Sequence, residues 1–163
     1  MPLPASKNFL SPLGFRFVLQ RAPNIEYFTN ECPIPGITLE GIDQPSPMQS
    51  IWRPGTKMQF APMSISFGVD EEMLNYKEIF NWMIGLAPTR NSQQYADLKA
   101  TQESLVSDGT LVVLTSNNNE GLAITFENLF PTDLSEIQFR ATDADVPVIV
   151  ATATFRYTGY YFV

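Results

Sequence analysis

The chain has 163 residues, 44% of them hydrophobic and 12% aromatic, with 10 Lys and Arg against 17 Asp and Glu for a net charge of −7. That length and composition fit one folded unit over residues 1–163, with no apolar run near the ~20 residues of a membrane-spanning helix and hence no membrane anchor. The acidic balance excludes a nucleic-acid reader, which gathers Lys and Arg against phosphates, and zero His with the single Cys32 excludes His-based triads, the usual zinc and copper sites and an internal disulfide.

The amino terminus, MPLPASKNFLSPLGF, has no basic start followed by an apolar stretch, so synthesis and folding in a cytoplasm are expected. Residues 1–14, with Pro2, Pro4 and Pro12, read as an arm without regular pairing. From Phe15 the side chains alternate. Phe15, Phe17 and Leu19 share one face and Arg16, Val18 and Gln20 the other, which predicts a strand closed by Pro23. Residues 25–32, IEYFTNEC, predict a second strand, paired with the first as an antiparallel hairpin across Arg21–Asn24. Cys32 is expected as a small buried hydrophobe.

The prolines and Gly36 of CPIPGI force a bend before the extended run ITLEGIDQ. Residues 44–60, QPSPMQSIWRPGTKMQF, are polar and proline-rich yet carry Met48, Ile51, Trp52 and Met58. They predict a projecting hairpin with its tip at Arg53, Pro54 and Gly55, and a contact surface made of Met48, Ile51, Trp52, Arg53 and Met58. Met63, Ile65, Phe67 and Val69 then alternate with Ser64, Ser66 and Gly68, the pattern of a half-buried strand.

Asp70 is expected to cap a helix with Glu71 and Glu72 in its first turn. The expected core stripe is Met73, Tyr76, Ile79, Phe80, Met83 and Leu86, with Lys77, Glu78 and Asn81 outward and Gly85 and Pro88 ending the helix. Residues 88–109 read as a polar outer loop with a short helical turn around Tyr95, Leu98 and Lys99. GTLVVLTS and LAITFENLFP flank the NNNEG turn as a hairpin. DLSEIQF predicts a short strand or helical turn. The closing VPVIVATATFRYTGYYFV predicts one long strand, with Ile149, Ala151, Ala153, Phe155 and Tyr157 opposite Val148, Val150, Thr152, Thr154 and Arg156.

Catalytic chemistry is sparse. The carboxylate groups at Asp70, Glu71 and Glu72 and at Asp143 and Asp145 fit a helix start and a solvated loop better than acid–base or cation sites. Glycines are scattered, without a phosphate-cradling loop. No enzyme activity and no cofactor are expected.

The order of parts, with PIPGI, FGVDEEMLNYKEIFNWM and LFPTDLSEIQF as its most specific pieces, resembles the tail-tube proteins of contractile-tailed bacteriophages and the related tube protein of type VI secretion, over about Phe15 to Val163. The resemblance implies a mainly β fold of packed antiparallel sheets, sandwich- or barrel-like, with one flanking helix. It further implies hexameric rings stacked into a hollow conduit inside a contractile sheath, with an inner β-barrel contributed by all subunits. Implied partners are other copies of the chain, the sheath protein, a baseplate tube initiator and double-stranded DNA that passes without specific binding, in a virion tail assembled in the host cytoplasm. Lumen-facing candidates are Thr38, Glu40, Ser64 and Ser66. The alternatives are a baseplate tube initiator of the same fold and a monomeric β-sandwich binding module.

Overall fold

Alternating apolar and polar residues pair into one antiparallel sheet in a computed structural model that describes residues 10, 13–89, 96, 100, 105–115, 117, 119–140 and 148–163. In chain order the elements are β1 (Phe15–Leu19), α1 (Asn24–Phe28), β2 (Thr29–Glu31), β3 (Ile37–Pro45), β4 (Ser50–Phe60), β5 (Met63–Gly68), α2 (Leu74–Leu86), β6 (Ser107–Leu114), β7 (Glu120–Leu134), β8 (Val150–Arg156) and β9 (Gly159–Phe162). The 7-stranded sheet runs β1-β6-β7-β8-β5-β2, with β9 on β7, and β3 and β4 form a separate two-stranded ribbon. The fold is mostly β and nearly closes into a barrel.

The expected β1–β2 hairpin does not form. β1 pairs with β6 and β2 with β5, at opposite edges of the sheet. Residues 24–28 are helical instead, and α1 spans the gap between the two edges. Ala22 and Ile25 are buried there, each 1% exposed, so the loop fills the barrel opening with apolar volume that a hairpin would have turned outward. Arg16 and Glu26 form an ion pair across the opening, and the Arg21 guanidinium lies 4.7 Å over the Trp82 ring.

The core collects the inward faces: Phe17 and Leu19 of β1, Ile65 and Phe67 of β5, Leu111 of β6, Ile124 and Phe126 of β7, and Phe155 of β8. Register pairs large with small, Ile65 opposite Ala153 and Phe67 opposite Ala151, the complementarity dense packing requires. β7 bends at Asn128, whose φ of 55° is left-handed. Asn128 N–H donates to Asp108 Oδ1 at 3.0 Å and its Nδ2 to Thr158 Oγ1 at 3.2 Å. Across this bend the expected long terminal strand divides: β8 pairs with residues 130–134 of β7 and β9 with residues 124–127.

α2 starts later than Asp70. Its N-cap is Met73 at φ 57°, and Glu71 and Glu72 lie in an exposed turn before it. The buried Asn75 organises this start: its Nδ2 donates to the Gly68 carbonyl at 2.8 Å, and its Oδ1 accepts the Tyr76 N–H at 2.8 Å, meeting one of the free amides of a helix terminus. The buried line is therefore Asn75, Ile79, Trp82 and Gly85. Tyr76, Met83 and Leu86 of the expected stripe pack at its margin, whereas Phe80 is 47% exposed. Trp82 takes the interior because its indole is large and its Nε1–H reaches the Leu105 carbonyl at 3.0 Å. Glu78, expected outward, is half-buried and accepts from Asn24 Nδ2 at 2.6 Å. Burial holds its carboxyl above the ordinary value, with the Asn24 bonds pulling the other way.

β6 and β7 form the expected hairpin, β6 starting at Ser107 within the expected outer loop. DLSEIQF splits: β7 continues to Leu134 and residues 135–140 have no regular structure. Tyr95, Leu98, Lys99, Asp143 and Asp145 lie outside the described residues, as does most of the arm 1–14.

Candidate functional site

Two surfaces stand out by their chemistry. The first is the ribbon. β3 and β4 pair antiparallel from Ile37 opposite Phe60 to Pro45 opposite Ser50, so the turn is residues 46–49, not the expected Arg53–Gly55. The Pro54–Gly55 step instead lies in β4, where the register shifts between Leu39 and Gly41. A Cβ on Gly55 would stand 2.3 Å from the Glu40 carbonyl oxygen, so the close approach of the two backbones at this bulge requires glycine.

Strand alternation sorts the ribbon into two faces. Ile37, Leu39, Trp52, Met58 and Phe60 share one, with Trp52 stacked over Gly41, whose Cβ position is 3.2 Å from the indole. Ile42, Ile51 and Arg53 share the other with Thr38 and Gln59. The five expected contact residues are thus not one patch: Trp52 and Met58 lie on one face, Ile51 and Arg53 on the opposite one, and Met48 at the turn, 97% exposed. Apart from the partly buried Gly55 and Phe60, both strands are exposed along their length. Two strands with exposed apolar faces are marginal in water by themselves.

The second surface is the outer face of the sheet formed by β2, β5, β8 and the end of β7. Ser64 Oγ lies 3.1 Å from Thr154 Oγ1, and Ser66 Oγ 3.3 Å from Thr152 Oγ1, two rungs of hydroxyls across β5 and β8. Thr132 Oγ1 donates to the Thr154 carbonyl at 3.1 Å, and Ser135 Oγ accepts the Thr152 N–H at 2.8 Å. Thr38 and Glu40 are not part of this ladder; they stand on the ribbon. Thr152 and Thr154 complete the ladder, and the sequence carries their signal, since VATATFR alternates as MSISFG does and presents the same polar face.

An aromatic cluster joins ribbon to body. The Phe60 ring centroid lies 5.9 Å from Tyr157 and 5.6 Å from Tyr160, and Phe126 lies 5.4 Å from both tyrosines. Tyr157 OH donates to the Ala61 carbonyl at 2.8 Å and Tyr160 OH to the Pro35 carbonyl at 3.1 Å. Burial pushes the Tyr157 phenol up to about 12, with Tyr160 adding to the shift and Arg156 opposing it. Burial likewise pushes the Cys32 thiol up to about 12, and Cys32 packs partly buried against the core. Among the described residues no three His, Cys, Asp or Glu side chains come together as a metal-binding group, and no helix is long and apolar enough to cross a membrane.

The molecule is thus a barrel-like β body with a hydroxyl-lined sheet and a projecting ribbon whose two strands pair only with each other. The chain belongs to the phage tail tube protein family, whose model matches residues 1–163, which bears out the resemblance read from the motifs. It is 32% identical over 132 residues to the tail tube terminator protein of Enterobacteria phage T4, covering 78% of this chain and 72% of that one. Its fold is similar to a chain of the PVC sheath-tube complex of an extracellular contractile injection system in the extended state, with TM-score 0.68, 17% identity, and 96% and 93% of the two chains covered. It is also similar to a chain of the PVC sheath/tube terminator in the extended state, with TM-score 0.62, 18% identity, and 100% and 97% covered. The chain is a structural tail component of tube or tube-terminator type and not an enzyme.

Proposed function

We propose that the chain forms a hexameric ring that ends the tail tube, continuing its channel and closing its growth. The observation that carries this reading is the exposed β3–β4 ribbon, whose apolar faces and open edges suit burial against further copies of the chain or the tube beneath. Strand direction supports ring closure. From β2 through β5 and β8 to β7 every step is antiparallel, so β2 and residues 130–134 of β7, at the two ends of this layer, run in opposite directions. A rotated copy would bring its β2 beside residues 130–134 of this β7 as another antiparallel pair, and a closed ring would leave neither of these two edges open.

In this arrangement the hydroxyl ladder of Ser64, Ser66, Thr152 and Thr154 lines the channel, with Thr38 and Glu40 where the ribbon extends it. Neutral hydroxyls on a chain of net charge −7 offer DNA phosphates no cationic anchor, so the genome passes without being held. The sheath protein and the tube are the expected neighbours. The end position, in place of a repeating one, is favoured by the 32% identity to a tube terminator.

Electron microscopy of the purified protein over a concentration series, alone and with preformed tubes, tests the reading. Six-fold rings that seat on tube ends and stop elongation are the expected result. Long hollow tubes from the protein alone would assign it the repeating role, and rings that nucleate tubes the initiator role. Monomers at every concentration that never associate with tubes would overturn ring formation and favour a binding module.

A further inference from the structure

We propose that Tyr157 and Tyr160 are positioning residues for assembly: their hydroxyls clamp the root of the β3–β4 ribbon and set the direction in which it leaves the body. This rests on the reading of the ribbon as a contact between copies or with the tube.

The ribbon joins the body through two backbone crossings, one just before Ile37 and one just after Phe60. The Ala61 N–H donates to the Gly36 carbonyl at 3.0 Å, which ties the crossings to each other but not to the sheet. Each crossing is then held by one tyrosine: Tyr160 on the Pro35 carbonyl at 3.1 Å and Tyr157 on the Ala61 carbonyl at 2.8 Å. Pro35 is buried, so its carbonyl stands where water competes poorly for the bond.

The break between β8 and β9 gains a reason. In an unbroken strand residues three apart point to opposite faces. The irregular Tyr157–Thr158 step, where Thr158 N–H donates to the Glu127 carbonyl at 3.0 Å, brings both tyrosine rings to the same side, against Phe60 and Phe126. The interruption of the terminal strand thus aims two phenols at the two crossings.

Leverage makes the clamp matter. A strand the length of β3 reaches roughly 30 Å at ~3.3 Å per residue. A swing of about 10° at the root would therefore move the tip by about 5 Å, well beyond what a packed interface tolerates.

The test is the Tyr157→Phe, Tyr160→Phe double variant, which keeps both rings and removes both hydroxyls, beside Met48→Ala, Trp52→Ala, which alters the contact surface and not the root. Hydrogen exchange, thermal unfolding and the protein concentration at which rings assemble or seat on tubes are measured for each. For the tyrosine variant we expect amides of residues 37–60 to exchange at least tenfold faster and the assembly concentration to rise at least tenfold. Exchange in the β6–β7 hairpin should stay unchanged. Wild-type exchange in the ribbon, or a wild-type assembly concentration while Met48→Ala, Trp52→Ala is impaired, would overturn the clamp alone. Normal assembly by Met48→Ala, Trp52→Ala would instead overturn the ribbon-contact reading. Should the double variant fail to fold, Tyr160→Phe alone is expected to show the same two changes in smaller measure, and wild-type values for both would overturn the proposal.

Discussion

The Asn75 side chain donates to the Gly68 carbonyl at 2.8 Å and so ties the first turn of α2 to the end of β5, across the left-handed Met73. Asn75 is the one fully buried polar residue among the described positions. Asn75→Ala removes the donor and leaves a buried carbonyl and a helix-terminal amide without partners, at a cost of about 2 kcal/mol. Urea denaturation should show a lower midpoint with an unchanged slope. Asn75→Asp, which places a carboxylate opposite the Gly68 carbonyl, should be more destabilising still.

Gly55→Ala tests the bulge. The added Cβ meets backbone, the Glu40 carbonyl oxygen at 2.3 Å, which cannot rotate away. The ribbon should lose its register beyond Leu39. The ribbon contributes no residue to the buried core, so thermal unfolding of the body should shift by no more than about 2 °C, a stability change of about 1 kcal/mol at most. Amide exchange over residues 37–60 reports the loss directly, and unaltered protection there would show that the strands do not need this close approach.

Gly109→Ala tests the core where β6 crosses β1. Its Cβ would stand 2.5 Å from Leu129 Cδ1 and 3.3 Å from Phe17 Cζ, both on fully buried side chains. Overpacking of this kind costs about 1–3 kcal/mol. Leu129→Val in the same chain removes bulk at the clash and should recover part of the loss. Additive destabilisation in denaturation of the double variant would place the strain elsewhere.

The alkaline limb of stability follows from two partly buried groups. Burial raises Cys32 from 9.0 and Tyr157 from 10.0, each to about 12. Between these values the unfolded chain has released protons that the folded chain retains, so unfolding becomes more favourable as pH rises. From neutral pH to about pH 9 these two groups leave thermal stability unchanged, and above that it should fall progressively to about pH 12. Absorbance titration of the phenols should show one tyrosine titrating late, and Cys32→Ser with Tyr157→Phe should flatten the fall.

Much of the fold is legible in local pattern because strand periodicity is written in adjacent residues. MSISFG, TLVVL and LAITF each read as a strand and each is one, with Met63, Ile65 and Phe67 of the first facing the core as expected. The polar face of MSISFG already placed Ser64 and Ser66 together. Pairing is less legible. Residues 25–28 carry the apolar side chains of a strand, but Ile25 is needed between two sheet edges that meet only after β5 and β6 are in place, and a short helix delivers it there. Trp82 displaced Phe80 from the interior because the Leu105 carbonyl could accept its indole N–H, a partner 23 residues away.

By itself the sequence determined a mainly β, acidic, structural chain with a projecting hairpin and a family likeness, since composition and short-range alternation suffice for each. Only the tertiary structure decided that the hairpin turns at residues 46–49 and that Gly55 serves the opposing backbone. It also decided that Thr152 and Thr154 complete the ladder begun by Ser64 and Ser66, and that Tyr157 and Tyr160 hold the ribbon root. Each of these depends on atoms brought together from distant parts of the chain, and local periodicity carries no record of which strand will lie beside which.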